Sequence, residues 1–387
     1  MIMEHKDIEH ITAVTEVKTD GQKCVAAVIT YRKEIDGKTL DTDVYEVKDR
    51  TVTGMEWEGN KITLQLDPAD EEAATYHPGM PWKGIKSTLS EAKVWLCQKK
   101  AVKTADGEIV EPTEDWMESD KTFDALVDPF IQMQYGTQKY NLYIPKDYDS
   151  NKSYPLVQFI HDAGVCGEDT RLTLAQGVGA LVWTTPESQK EHPCFVFAPQ
   201  FDGPPIVDDD WNVDPRLEDA KAALDNIVDI YNIDKNRIYT TGQSMGCMAS
   251  IVLNIRYPEY FAASYLVAGQ WDERNIPKLE KQKLWMLCSQ GDAKAFPTMN
   301  QMCVNMERAG AKVSRRVIEA GLSEEEYTRI EEEILQEKPD IIFTPYKLET
   351  VAAGWHSNGG EHHICTWQTA YDIDIIREWL FEQSRKE

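Results

Sequence analysis

Hydrophobic and polar positions along the chain change rhythm near residue 120. Before it the pattern is one of short β segments. Ile62-Thr-Leu-Gln-Leu66 alternates apolar and polar, the mark of a strand with one buried face. The runs 25–31 and 94–96 are rich in β-branched and aromatic residues. Asp20-Gly21, Asp36-Gly37, Gly59-Asn60 and Asp106-Gly107 fall between such runs as hairpin-turn signals. No helical period of useful length occurs here. Short strands at this spacing predict a small β-sandwich over 1–120.

After residue 120 strand and helix patterns alternate. Segments 140–144, 154–160, 195–198, 237–241, 262–267 and 284–288 read as strands. Asp214-Pro215 supplies a cap and a first-turn proline, and Leu217, Ala220, Leu224, Ile227, Val228 and Tyr231 follow at helical spacing. A last helix is predicted from about Tyr371, with Ile375, Ile376, Trp379 and Leu380 apolar. Such alternation predicts an α/β domain over 121–387, with a mostly parallel sheet covered on both faces. One stretch breaks the rhythm. Ser323-Glu-Glu-Glu326 is a capping box that opens an acidic helix to about Gln336, whose charges read as a solvated face.

The chemistry is carried by Gly242-Gln-Ser-Met-Gly246, a G-x-S-x-G. It follows a predicted strand and precedes a helix-compatible run, Cys247–Leu253. That is the strand–turn–helix a nucleophile elbow requires. A tight turn lifts the Ser244 oxygen clear of the backbone, and the following helix start, with the Met245 N–H, can face a developing oxyanion. Upstream, a buried strand ends in His161-Asp-Ala-Gly164. This looks like the H-G-x-G oxyanion loop of esterases, with Asp162 at the first glycine position. A second oxyanion N–H is expected from Asp162 or Ala163, and His161 is expected to orient the loop rather than to move protons.

An acid belongs after a later strand. Gly291-Asp292, followed by Pro297, stands where α/β hydrolases often carry it, so Asp292 is the first choice and Asp272 the second. The base must follow the acid in this fold, which leaves His356, His362 and His363. The pair His362-His363 lies in what reads as a glycine-started loop before the last helix and is preferred over His356, with His363 first. Apolar pocket surface is expected from Trp183, Trp211 and Trp355. The insertion at about 319–355 is expected near the active site, as part of a wall or partial lid over Ser244.

Composition narrows the picture. A formal net charge of −25 repels phosphate backbones and anionic lipid, so neither nucleic acid nor membrane is an expected partner. No apolar run reaches the ~18–20 residues of a membrane helix. The opening ten residues are too charged for a signal peptide, so the expected compartment is cytoplasmic, or extracellular if a leader has been trimmed. Eight scattered cysteines without a CxxC suit reduced, buried thiols. His192-Pro-Cys194 and His363-Ile-Cys365 lack zinc spacing, so no metal and no organic cofactor is expected. The oligomeric state stays open, a homo-oligomer included.

Residues from about 125 to 383 resemble the esterase family related to prolyl oligopeptidases, dienelactone hydrolases and polyhydroxybutyrate-depolymerase-like proteins. The matching phrases are 140–148, 154–164, 234–246, Tyr257-Pro258 and 367–371. The resemblance implies an α/β-hydrolase fold and an immunoglobulin-like domain ahead of it. It also implies a base a few residues before Trp367, which suits His363. Cys247 departs from a usual second glycine, and the stretch from Gly310 to Gly360 is longer than expected. The implied activity is hydrolysis of a small-molecule carboxylic ester through Ser244, His363 and Asp292. A peptidase, a feruloyl or acetyl carbohydrate esterase, a polyester hydrolase and a binding protein with a passive core are the competing readings.

Overall fold

The computed structural model describes residues 6–80, 83–351 and 359–385. The chain forms two compact units: the first holds residues up to His77 and Thr88–Pro129, the second Pro78–Ser87 and Phe130 onward.

In the first unit a five-stranded sheet runs in the order Lys121–Asp124, Ile8–Lys18, Gly21–Tyr31, Lys61–Leu66, Val52–Glu58. A three-stranded sheet runs Met117–Glu118, Trp95–Gln98, Tyr45–Val47. Ile11, Ala13, Ala27 and Ile29 of one sheet and Tyr45, Val47 and Leu96 of the other share one hydrophobic core, as a sandwich requires. The sheets are also tied by polar groups. Buried Tyr31 Oη donates to Gln98 Oε1 at 2.7 Å, which leaves Tyr45 Oη to donate to Tyr31 at 2.6 Å. Two expectations are corrected. Asp36-Gly37 opens not a hairpin but a 3-10 turn, Gly37–Thr39, packed so tightly that a Cβ on Gly37 would lie 2.0 Å from the Trp57 ring. The unit also runs past 120 to Pro129, because Lys121–Asp124 pairs in parallel with Ile8–Lys18.

The second unit is built on a nine-stranded sheet. Its order is Ile131–Tyr135, Gln138–Tyr143, Phe195–Gln200, Tyr154–Ile160, Ile233–Gln243, Ala263–Val267, Leu284–Leu287, Ile341–Phe343, Val313–Arg315. The first strand pairs antiparallel with the second and the second with the third, and the remaining six pairs are parallel. The central strands Tyr154–Ile160 and Ala263–Val267 are buried along their whole length, as strands covered on both faces must be. Eight helices accompany the sheet among the described residues: α1 Leu172–Ala175, α2 Pro186–Glu191, α3 Arg216–Ile230, α4 Met245–Arg256, α5 Ala295–Ala309, α6 Glu324–Gln336, α7 Gly359–Ala370 and α8 Asp374–Glu382. In α3 the periodic residues Leu217, Ala220, Leu224 and Ile227 are buried as predicted, and Asp214 Oδ1 accepts the Arg216 N–H at 2.9 Å.

The acidic capping-box helix is α6, with Glu326 N–H on Ser323 Oγ and Ser323 N–H on Glu326 Oε2. It packs against α8, and its Tyr327, Glu331 and Ile334 are buried. Glu331 is fully buried, and neither carboxyl oxygen has a hydrogen-bond partner among the described residues. Burial, with Glu324 nearby adding to it, pushes its carboxyl up to about 9. The folded chain therefore holds a proton that the unfolded chain releases at ordinary carboxyl pH, and stability falls as pH rises through that window. Glu331→Met is expected to be more stable than wild type, with the gain larger by at least about 2 kcal/mol at pH 8.5 than at pH 5. Urea unfolding at the two pH values checks this; a variant equally destabilised at both contradicts it.

Candidate functional site

The strand Ile233–Gln243 lies between Tyr154–Ile160 and Ala263–Val267, hydrogen-bonded to both in parallel. At its end the chain turns through Ser244 directly into α4. Ser244 has φ 52° and ψ −118°, a backbone region non-glycine residues rarely occupy. The turn is held from both sides. Ser244 N–H donates to Val267 O at 3.0 Å and Ser244 O accepts from Met248 N–H at 3.0 Å. The flanking glycines are needed for close approach. A Cβ on Gly246 would lie 1.9 Å from Ile160 O, and one on Gly242 would lie 2.5 Å from the same oxygen.

His363 Nε2 lies 2.9 Å from Ser244 Oγ, and His363 Nδ1 lies 2.5 Å from Asp292 Oδ2. Asp292 follows the strand Leu284–Leu287 and is nearly buried. Its other oxygen accepts the N–H groups of Lys294 and Ala295 at 3.0 and 2.9 Å. Burial pushes this carboxyl up, but the His363 hydrogen bond and charge and the two N–H groups outweigh it, so it stays below the usual range. The two histidines do not sit in a loop: they are the fourth and fifth residues of α7. The Gly359-Gly360 start hid this helix, because glycine is a poor helix former. His356 lies outside the described residues.

The loop after Tyr154–Ile160 carries no left-handed residue. Asp162 has φ −75° and caps a 3-10 turn, Ala163–Val165, its Oδ1 accepting the Gly164 N–H at 2.8 Å. Asp162 thus fills the glycine position without strain. Burial raises its carboxyl, against the hydrogen bonds from Gly164 and Gln243. His161 is fully buried. Its Nε2 accepts the Phe201 N–H at 3.1 Å, so the proton is on Nδ1, which donates to Asp162 O at 2.7 Å. Burial holds His161 down to about 4, so it is neutral near pH 7 and braces the loop. Ser87 Oγ adds a further hydrogen bond, to Gly164 O at 2.5 Å.

A cavity of about 490 Å³ opens over Ser244. Ala163, Pro205, Val207, Met245, Met248 and Ala293 form its apolar lining. Asp208, Asp209, Gln270 and Lys294 also line it. Asp209 ties three loops there: it accepts Gln270 Nε2 at 2.8 Å on one oxygen and pairs with Lys294 Nζ on the other. The Met245 and Ala163 N–H groups stand at the first positions of α4 and of the 3-10 turn, where no intrahelical acceptor exists. Neither has another acceptor among the described residues.

The tryptophans are placed otherwise than expected. Trp183 is no part of the cavity wall: it is fully buried, edge-on to Phe381, with Nε1 donating to Gly179 O. Trp211 packs on Trp271 and does not line the cavity itself, although its loop supplies Val207–Asp209. Trp355 lies outside the described residues. No described residue of 319–351 lines the cavity; α6 sits on α8 instead, and the chain after it braces the Asp292 turn through Tyr346 O and Gln290 N–H at 2.9 Å. Cys247 is buried against Gly269, away from the cavity. Asp272 is occupied by a bidentate pair with Arg274. Sequence reading missed Val207, Asp209, Gln270 and Lys294. The signal was available in part, since each follows a strand at the carboxyl end of the sheet, where such folds bind ligands.

All eight cysteines are free and buried. Among the described residues, no helix is long and apolar enough to cross a membrane, and no three His, Cys, Asp or Glu side chains group as a metal site.

Comparison with known proteins agrees with this architecture. The esterase Ig-like N-terminal domain family matches residues 10–111. The crystal structure of a thermostable esterase is 26% identical, with a TM-score of 0.82 over 97% of this chain and 100% of that one. A feruloyl esterase module from Clostridium thermocellum complexed with sinapinate is 14% identical, with a TM-score of 0.43 over 63% and 86%. A fluorophosphonate-binding serine hydrolase F of Staphylococcus aureus is 14% identical, with a TM-score of 0.37 over 66% and 98%. No curated protein sequence matches the chain. The chain joins an esterase immunoglobulin-like N-terminal domain to an α/β-hydrolase fold of the esterase kind.

Proposed function

We propose that the protein is a serine carboxylesterase that works through an acyl-enzyme. The observation that carries this reading is the continuous hydrogen-bonded line from Ser244 Oγ through His363 to Asp292, set on a strained turn beneath an apolar cavity. The thermostable esterase, alike over nearly the full chain, supports ester hydrolysis. Ser244 Oγ attacks the ester carbonyl while His363 Nε2 takes its proton. The same nitrogen returns that proton to the departing alcohol, and a water then repeats the sequence on the acyl group. Asp292 keeps the His363 proton on Nδ1 and stabilises the imidazolium. The tetrahedral oxyanion is received by the N–H groups of Met245 and Ala163, each an orphan donor at a helix start. One such donor is worth about 2.7–4 kcal/mol of barrier.

The mostly apolar lining favours an uncharged acyl or alkoxy group. Feruloyl, acetyl and polyester substrates all satisfy that description, and a peptidase of the same fold uses the same machinery.

Ser244→Ala is expected to lower hydrolysis of a short nitrophenyl ester by several powers of ten while leaving the unfolding midpoint near wild type. Retention of more than about a tenth of the rate contradicts Ser244 as nucleophile. Wild type is expected to prefer that ester over an aminopeptidase amide substrate, and the reverse preference would move the assignment to a peptidase. Prolonged EDTA treatment is expected to leave the esterase rate unchanged; inhibition reversed by zinc would require a metal.

A further inference from the structure

His362 is the neighbour of the proposed base and has no part in the proton line. Consecutive residues on a helix point about 100° apart, so the two rings of this pair leave α7 in different directions. His363 reaches Asp292 Oδ2 and Ser244 Oγ. His362 is buried, with 2% of its surface exposed, and its Nδ1 lies 3.0 Å from Ser289 Oγ. Ser289 Oγ also accepts the Gly291 N–H at 3.2 Å. A Cβ placed on Gly291 would fall 2.2, 2.3 and 2.4 Å from three atoms of the His362 ring. The imidazole therefore lies flat against a turn that only glycine leaves open.

That turn is Ser289–Asp292, closed by the Asp292 N–H on Ser289 O at 3.0 Å. Both histidines thus grip one four-residue turn, His363 at its last residue and His362 at its first and third. The far end of α7 is held separately, by Tyr265 Oη donating to Ala370 O at 2.7 Å. At its start, the two histidine contacts leave the helix in different directions and so limit its roll and slide against the Asp292 turn. Thr366 Oγ1, one turn on, donates to His362 O at 2.8 Å and stiffens the same segment.

We propose that His362, through Ser289, is a positioning residue: it locks the start of α7 onto the Asp292 turn so that His363 Nε2 stays aligned with Ser244. This rests on the Ser244–His363–Asp292 reading. Misplacement of a reacting group by about 1 Å can cost about 100-fold in rate, whereas substrate binding in a cavity that His362 does not line is left alone.

The test uses the full-length chain, a short nitrophenyl ester and a fluorophosphonate probe. His362→Leu fills the space without a polar atom. His362→Asn places an amide atom near where Nδ1 stands and can keep the bond to Ser289. His362→Leu and Ser289→Ala are each expected to lower kcat by about 10-fold or more with KM within about twofold, and to slow probe labelling in parallel. His362→Asn is expected to recover most of kcat. The double variant His362→Leu with Ser289→Ala is expected to be no worse than the poorer single one, since both remove one interaction. Urea unfolding of each variant separates loss of fold from loss of alignment. If His362→Leu keeps kcat within twofold, or if Leu and Asn variants lose equally, the positioning role is overturned. If the probe fails to label wild type at Ser244, the serine reading itself falls, and the two failures are told apart.

Discussion

The backbone of Ser244 is the constraint on which the site depends. A serine at positive φ costs on the order of 1–3 kcal/mol, and the chain keeps it there because everything around it is already determined. Two parallel strands clamp the approach, Val267 O holds the serine N–H, and the Ile160 carbonyl sits where a side chain on Gly242 or Gly246 would have to be. The strain is thus borne by the buried centre of a nine-stranded sheet. It aims Oγ outward and leaves the first N–H of α4 without an acceptor. The loop after Ile160 reaches the same result by an ordinary route, an Asp162 cap that starts a 3-10 turn and orphans the Ala163 N–H.

The rest of the site is an assembly of strand ends. The Ser244–Met245 pair, the Ala163 amide, Asp292 and His363 come from four different connections of the sheet, so the site depends on how firmly each connection is tied down. Neutral His161 ties the oxyanion loop to Phe201. The Tyr346 carbonyl and the His362 ring brace the Asp292 turn from two sides. Asp209 joins the loop before α3 to Gln270 and Lys294. These ties are polar contacts between segments far apart in sequence, buried at His161 and His362 and exposed at the Asp209–Lys294 pair.

That division explains what could be read from sequence. The elbow was legible because it is local: strand, turn and helix follow one another without a break over Ile233–Arg256, and glycine spacing reports the close approach directly. Asp292 and the His362–His363 pair were legible because chain order and strand position constrain them. The preference for His363 within that pair came only from its spacing to Trp367; the helix the pair starts and the walls of the cavity were not legible. Two glycines concealed α7, which is held by tertiary contacts such as the His362 ring on Gly291 and Tyr265 Oη on Ala370 O. Trp183 looked like pocket surface because composition does not say on which side of a sheet an aromatic lies, and the fold spends it beside Phe381. The first unit ran beyond 120 because its last strand pairs with Ile8–Lys18, more than a hundred residues upstream in the register Thr12 to Lys121.

The central claim is that Ser244 carries the acyl group during turnover. The most direct measurement is acid quenching of wild-type protein within the first turnovers on a nitrophenyl ester, followed by peptide mass spectrometry. The account predicts the acyl mass on the peptide containing Ser244, with fragment ions placing it on the serine and not on Cys247. Turnover without any acylated peptide, or acylation at another residue, would contradict it.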